Sequence, residues 1–161
     1  VRADNVFFGL FIRGAFVEES GRLAVFLAVS AFIRRLESAV PPDVALQRCA
    51  ARGLVAALSF AALENVWYAD GTAAALLRVF TAAPLHAACG ARTARAAWIF
   101  PHEPLRAAAL FFQTVILHGC YNFLVSGSGI LPYAAPVLAL TAFAAQALAL
   151  RRAADGDAYS A

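Results

Sequence analysis

Four short patterns in this chain combine residue types and spacing that could do chemistry. They are Glu18-Glu19 followed by Arg22, Phe60-x-x-x-Glu64-Asn65, His86-x-x-x-Gly90 and His118-x-x-x-Asn122. All sit in apolar stretches, where an ionisable side chain costs about 2.5–3.5 kcal/mol at bilayer depth and is usually paired and functional. Two carboxylate sites and two imidazoles on separate segments are what activation of a water molecule for hydrolysis requires. Glu18 and Glu19 point about 100° apart on a helix. One can therefore face a partner while the other orients it or pairs with Arg22 one turn on.

Each pattern also has a plainer reading. Glu18-Glu19 could be an acidic pair at a helix N-terminus, which the macrodipole favours. Glu64 could reach out to an interface, although Asn65 beside it favours a hydrogen-bonded interior position. His86 with Gly90 and His118 with Asn122 are i,i+4 pairs, each on one helical face. Gly90 removes a side chain and lets another helix approach closely, and Asn122 could hold a tautomer of His118 or donate to an oxyanion. A single histidine on an apolar helix is readily a satisfied core residue; two of them level with buried glutamates point to a site. His102, in Pro101-His-Glu-Pro104, is assigned no role.

The elements that must position these residues follow from composition. The 161 residues are 62% hydrophobic and 14% charged, with a mean hydropathy of +0.71. Soluble domains run near 45–50% apolar and about 25% charged, so the chain reads as an integral membrane protein. All 13 basic residues are Arg and most lie between apolar segments, which is a topology signal rather than a nucleic-acid surface. Cys49, Cys89 and Cys120 form no Cys-x-x-Cys pair and read as packing residues. The sequence starts at Val1 and contains no Met, so further N-terminal sequence is expected. The stretch from Val6 to Val17 is interrupted by Arg13 and does not read as a cleavable signal.

The fold class expected is all-α, a polytopic transmembrane bundle of about five spanning helices plus a short interfacial helix. The spans are placed at about Ala15–Ile33, Gly53–Tyr68, Thr81 toward Arg92–Arg95, Leu105–Val125 and Leu131–Leu150, with the interfacial helix over Thr72–Phe80. Residues 1–152 form a single domain in this reading, and residues 153–161 a loose polar tail. The Arg34–Arg52 loop, the Arg92–Arg106 loop and the C-terminus carry nine of the arginines, whereas the Asp70-Gly71 and Ser126–Gly129 turns carry none. The positive-inside rule then makes the Arg-bearing loops cytoplasmic and the bare turns external, with Trp67, Tyr68 and Tyr133 near the outer interface. At about 1.5 Å per residue, Glu18, Glu19, Glu64, His86 and His118 all fall at one level in the outer leaflet. Sequence spacing alone does not require that agreement.

These residues carry a resemblance. Val17-Glu-Glu-Ser-Gly-Arg22, Phe60-Ala-Ala-Leu-Glu-Asn65 with Tyr68, Arg78 through Pro84-Leu-His-Ala-Ala-Cys-Gly90, and Leu117-His-Gly-Cys-Tyr-Asn122 resemble, in order, the motifs of the PrsW family of intramembrane proteases. That family is distantly related to the CAAX-prenyl protease and bacteriocin-processing group. Its first motif usually ends in Lys where this chain has Arg22, and its members usually have further helices ahead of the Glu-Glu motif. The resemblance implies proteolysis of a single-span membrane protein, such as an anti-sigma factor, near the outer face of a bacterial-type inner membrane. It implies Glu18, Glu19, Glu64, His86, His118 and Asn122 as catalytic residues, with Arg22, Phe60, Asn65 and Gly90 in support. Whether a metal takes part stays open: His86 and His118 with a glutamate form a known catalytic zinc set, yet no His-Glu-x-x-His helix is present.

Two readings from other classes compete. His86 and His118 could ligate one haem iron, which leaves the three glutamates unexplained. A small transporter with Glu/His proton relays is the other, but such proteins often show internal repeats and none is evident here. A protease-like scaffold without activity is a third reading, against which the intact motif set argues.

Overall fold

The structure, a computed structural model, describes residues 8–68 and 71–158. Val1, Asp70, the side chain of Tyr68 and the last three residues of the expected tail lie outside the described residues. The chain begins as a π-helical segment, Phe8–Phe16, that runs without a break into α1, Val17–Leu36. There follow α2, Pro42–Tyr68; α3, Thr72–Phe80; α4, Ala82–Ile99; α5, Pro104–Ser126; and α6, Leu131–Ala158. No strand occurs among the described residues, and the expected all-α bundle forms.

Helix α4 is the centre of the bundle, and its sequence explains why. Ala87, Ala88, Cys89, Gly90, Ala91, Thr93 and Ala94 are small residues in succession, and all are buried. Small side chains let neighbouring backbones close in, which is how helices associate where lipid removes the usual hydrophobic drive. Gly90 of α4 and Gly53 of α2 face each other at that approach. A Cβ on Gly90 would collide with the Gly53 carbonyl and with Ala57. Helix α5 packs on another side of α4, where Phe111 and Val115 join Ala15 and Ala96 in one apolar cluster. Tyr121 and Leu85 join Ala135 and Ala139 of α6 in a second cluster.

Among the described residues, three helices are long and apolar enough to cross a membrane: Pro42–Trp67, Pro104–Ser126 and Leu131–Ala153. The other two expected spans, α1 and α4, contain 20 and 18 residues, or about 30 and 27 Å at 1.5 Å per residue. They are less apolar because they carry the ionisable residues, and α4 is shielded by its neighbours. The short helix over Thr72–Phe80 forms as expected, after Gly71 at φ +89°, a conformation favouring glycine.

Several boundaries differ from the sequence reading. Helix α2 starts at Pro42, not near Gly53, because proline suits a helix N-terminus and Asp43 follows in the first turn. Arg48 and Arg52 are therefore helical, and both meet Glu37 at the end of α1. Arg92 and Arg95 lie on α4 rather than in a loop, held by side chains of neighbouring helices. Helix α6 continues past Leu150 to Ala158.

Candidate active site

Four helices bring the sequence-derived residues together. Glu18, Glu19 and Arg22 come from the first two turns of α1, Glu64 and Asn65 from the last turns of α2, His86 from the second turn of α4, and His118 from the last third of α5. The chain alternates direction, so these N- and C-terminal parts meet in the same half of the bundle.

Glu19 is fully buried and accepts three donors. Arg22 donates to it through Nη1, Thr93 Oγ1 donates at 2.9 Å and His118 Nδ1 lies at 2.9 Å. Arg22 also reaches Glu18 at 3.5 Å and His86 Nδ1 at 2.6 Å. The other nitrogen of His86, Nε2, lies 2.9 Å from Glu64 Oε2. Arg78 extends the network, with Nη2 3.9 Å from Glu64 and Nε donating to Asn65 at 2.8 Å. The result is one polar chain running from Asn65 through Arg78, Glu64, His86, Arg22 and Glu19 to His118.

The partners assign the imidazole protons. An arginine can only donate, so His86 Nδ1 accepts from Arg22 and its proton sits on Nε2, given to Glu64. His118 Nδ1 faces a carboxylate that already receives two other donors, so it carries the proton. In the neutral ring His118 Nε2 then keeps its lone pair, 3.8 Å from Glu18 Oε2. Of the two adjacent glutamates, Glu19 is fully buried and has three of its about four acceptor sites filled. Glu18 is 32% exposed at its side chain and keeps acceptor capacity.

With neutral imidazoles, Glu18, Glu19 and Glu64 carry three negative charges against the two positive charges of Arg22 and Arg78. The surplus of one negative charge favours uptake of a proton or a cation. Glu18, His86 and His118 offer ligand atoms within 4.8 Å of one another, as do Glu19, Cys89 and His118. Two imidazoles and one carboxylate fit a catalytic zinc, and Glu19 behind His118 is the kind of carboxylate that orients a ligating histidine. Of the two imidazoles, His118 has the free nitrogen; His86 would have to release Glu64 or Arg22 to bind.

The supporting residues take up different tasks. The Phe60 ring meets His86 edge-on at 6.3 Å, and the Arg22 guanidinium lies over that ring at 5.0 Å. Gly90 serves the crossing with α2. Asn122 does not join the cluster: its amide donates to the Leu10 carbonyl at 3.3 Å and so ties α5 to the π-helical segment. Sequence reasoning passed over Thr93, which lies seven residues after His86 and thus two turns down the same face of α4. The imidazole rings of His86 and His118 stand 5.2 Å apart at 87°. Three of their four nitrogens lie within 2.9 Å of a carboxylate or a guanidinium.

A groove opens beside Glu18 and Arg22. It lies between α1 and α2, encloses about 390 Å³, and is otherwise lined by Val17, Gly21, Val25, Phe26, Ala56, Ala57 and Phe60.

A membrane-embedded helical bundle holding carboxylates and imidazoles at hydrogen-bond distance defines the class: a hydrolase working inside the bilayer. The family model described as PrsW family intramembrane metalloprotease matches residues 2–149, and the chain belongs to that family of intramembrane proteases. No curated protein and no solved structure matches it.

Proposed function

We propose that this protease cuts a single-span membrane protein, such as an anti-sigma factor, near the outer face of a bacterial-type inner membrane. Glu18 acts as general base on a water. The observation that carries this reading is the division of labour at Glu18-Glu19: Glu19 is fully buried and taken up by Arg22, Thr93 and His118, whereas Glu18 is part-exposed and keeps acceptor capacity facing His118 Nε2 and the groove. Glu18 takes the proton from water as the oxygen attacks the peptide carbonyl, and later passes it to the leaving amine. His118, held in one tautomer by Glu19, orients the water through Nε2. Arg22 supplies positive charge to the developing oxyanion; its buried Nε has no hydrogen-bond partner among the described residues. Glu64 fixes His86, which in turn positions Arg22. Asn122 supports the site from outside by anchoring the π-helical segment that leads into Glu18.

Glu18, His86 and His118 would hold a zinc ion once His86 released Glu64 or Arg22, and a bound zinc would contribute Lewis-acid activation of water in place of base catalysis by Glu18. The apolar groove between α1 and α2 receives the substrate segment beside Glu18. Arg34, Arg35, Arg52, Arg106, Arg151 and Arg152 gather at the end of the bundle away from the cluster, which supports a cytoplasmic placement of that end.

The test is cleavage of single-span substrates by membranes carrying wild type, Glu18→Gln or His118→Ala, with and without a zinc chelator. Loss of cleavage in both variants supports the assignment, and chelator sensitivity adds the metal. Cleavage unchanged by either substitution overturns it.

A further inference from the structure

The half of the bundle away from the cluster contains a second polar feature with a different chemistry. Helices α2, α4 and α5 frame a cavity of about 430 Å³ whose polar lining is Arg92, Arg95 and Arg106 with Gln47 and Gln113, set among apolar side chains of the same three helices. No carboxylate lines it among the described residues. Arg106 pairs with Glu103 outside the cavity at 2.9 Å. Arg92 and Arg95 have no carboxylate partner among the described residues. Arg92 donates to Gln113 Oε1 at 2.9 Å and Thr114 Oγ1 at 3.2 Å. Arg95 donates to Gln47 Oε1 at 3.0 Å and Gln146 Oε1 at 3.4 Å, and its buried Nε has no hydrogen-bond partner among the described residues.

Neutral amide and hydroxyl oxygens fix the direction of the two guanidiniums without cancelling their charge. A cation at this depth is costly unless an anion meets it, and the planar guanidinium fork suits phosphate oxygens. The shape of the surroundings adds a second requirement. Arg92 also lines a neighbouring cavity of about 310 Å³ between α5 and α6, whose walls include Leu117, Leu138, Ala142 and Ala145. A cationic basin thus joins an apolar groove at one shared arginine. A free phosphate would use only the basin; a molecule with a phosphate head and a hydrocarbon tail would use both.

We propose that the basin of Arg92, Arg95 and Arg106 and the adjoining groove bind one anionic phospholipid, its phosphate on the arginines and one acyl chain along Leu117, Leu138 and Ala142. The site is separate from the glutamate–histidine cluster and does not depend on its catalytic assignment.

The experiment is binding of a fluorescent short-chain phosphatidylglycerol, and of its phosphatidylcholine counterpart, to the protein in detergent micelles, with inorganic phosphate as competitor. Wild type should prefer phosphatidylglycerol at least tenfold. Arg92→Gln with Arg95→Gln should remove the preference, and Arg35→Gln, an exposed cation elsewhere, should keep it. Inorganic phosphate should compete only weakly, because it leaves the groove empty. Equal binding of the two lipids by wild type overturns the proposal whether or not the double variant folds. So does a preference that survives in a folded double variant, as judged by circular dichroism and gel filtration. Displacement by phosphate as effective as displacement by unlabelled lipid overturns the lipid assignment in favour of a free anion.

Discussion

Glu19→Gln is the substitution that separates charge from shape at the centre of the site. The carboxylate accepts from Arg22, Thr93 and His118 and has no exposure to solvent. A glutamine can keep the same geometry. Its oxygen retains Arg22 and His118, and its amide donates to Thr93, whose hydroxyl rotates to accept. What is lost is the charge on two bonds. Hydrogen bonds to charged groups contribute about 1.5–3 kcal/mol and neutral ones about 0.5–1.5, so the change weakens the pair by about 2–3 kcal/mol in total. If that loss falls on the transition state, where the proposed mechanism has His118 and Arg22 act, cleavage slows about 30- to 150-fold. Glu19→Ala is a different perturbation. It leaves a buried guanidinium and a buried imidazole without their acceptor, and breaking a buried charged pair in this way destabilises by about 3–5 kcal/mol.

The assay is cleavage of a membrane substrate at matched protein levels, together with thermal unfolding in detergent. Glu19→Gln should accumulate normally and cleave slowly, and Glu19→Ala should accumulate poorly. Adding Thr93→Val to Glu19→Gln should be worse than the sum of the two single changes, because the glutamine amide then has no acceptor. Wild-type cleavage by Glu19→Gln would refute the role given to the buried charge. A Glu19→Ala protein as stable as wild type would refute the packing of the whole cluster.

Three further outcomes are expected. Gly90→Ala should lower stability by about 1–3 kcal/mol, read by thermal unfolding, since its Cβ would strike the Gly53 backbone and Ala57. Gly21→Leu should leave stability unchanged or raised by up to about 1 kcal/mol, because its Cβ meets nothing within 4 Å. It should still cut cleavage at least tenfold by filling the groove beside Glu18, a loss of about 1.4 kcal/mol in the barrier term. Arg52 holds the Glu37 carboxyl below its ordinary range by a hydrogen bond at 2.5 Å. A depressed carboxylate stabilises the fold above its unfolded value, near 4.3, and loses that contribution as pH falls through the lower folded value. Wild type should therefore lose stability relative to Arg52→Gln below about pH 4; parallel pH profiles would contradict the pairing.

The sequence made the long helices legible because apolar runs and glycine turns are local signals. It misplaced the start of α2 by eleven residues because charge was taken as a mark of loop. Arg48 and Arg52 are charged helical residues whose partner, Glu37, sits across a turn. Arg92 and Arg95 misled in the same way: their acceptors are Gln47, Gln113, Thr114 and Gln146 on three other helices, and no window of sequence contains such a set. The π-helical segment before α1 also gave no periodic signal, although Asn122 and Gly119 of α5 both depend on it: Asn122 bonds Leu10 and Gly119 makes room for Phe11.

The convergence of the cluster was legible for a physical reason that did not extend to its details. In an alternating bundle, depth follows from counting residues between turns, so Glu18, Glu64, His86 and His118 could be placed at one level from sequence. Rotation about each helix axis does not follow from counting. It decides that Glu19 turns inward to His118 and Thr93 while Glu18 turns toward the groove, and that Asn122, on the same face as His118, reaches the π-helical segment instead. Rotation is set where helices touch, here by Gly53 against Gly90 and by the small residues of α4. The glycine crossing and the geometry of the cluster are therefore one problem. A change that pushes α2 away from α4 moves Glu64 from His86, and through Arg22 it alters the surroundings of Glu18 without touching any residue of the cluster.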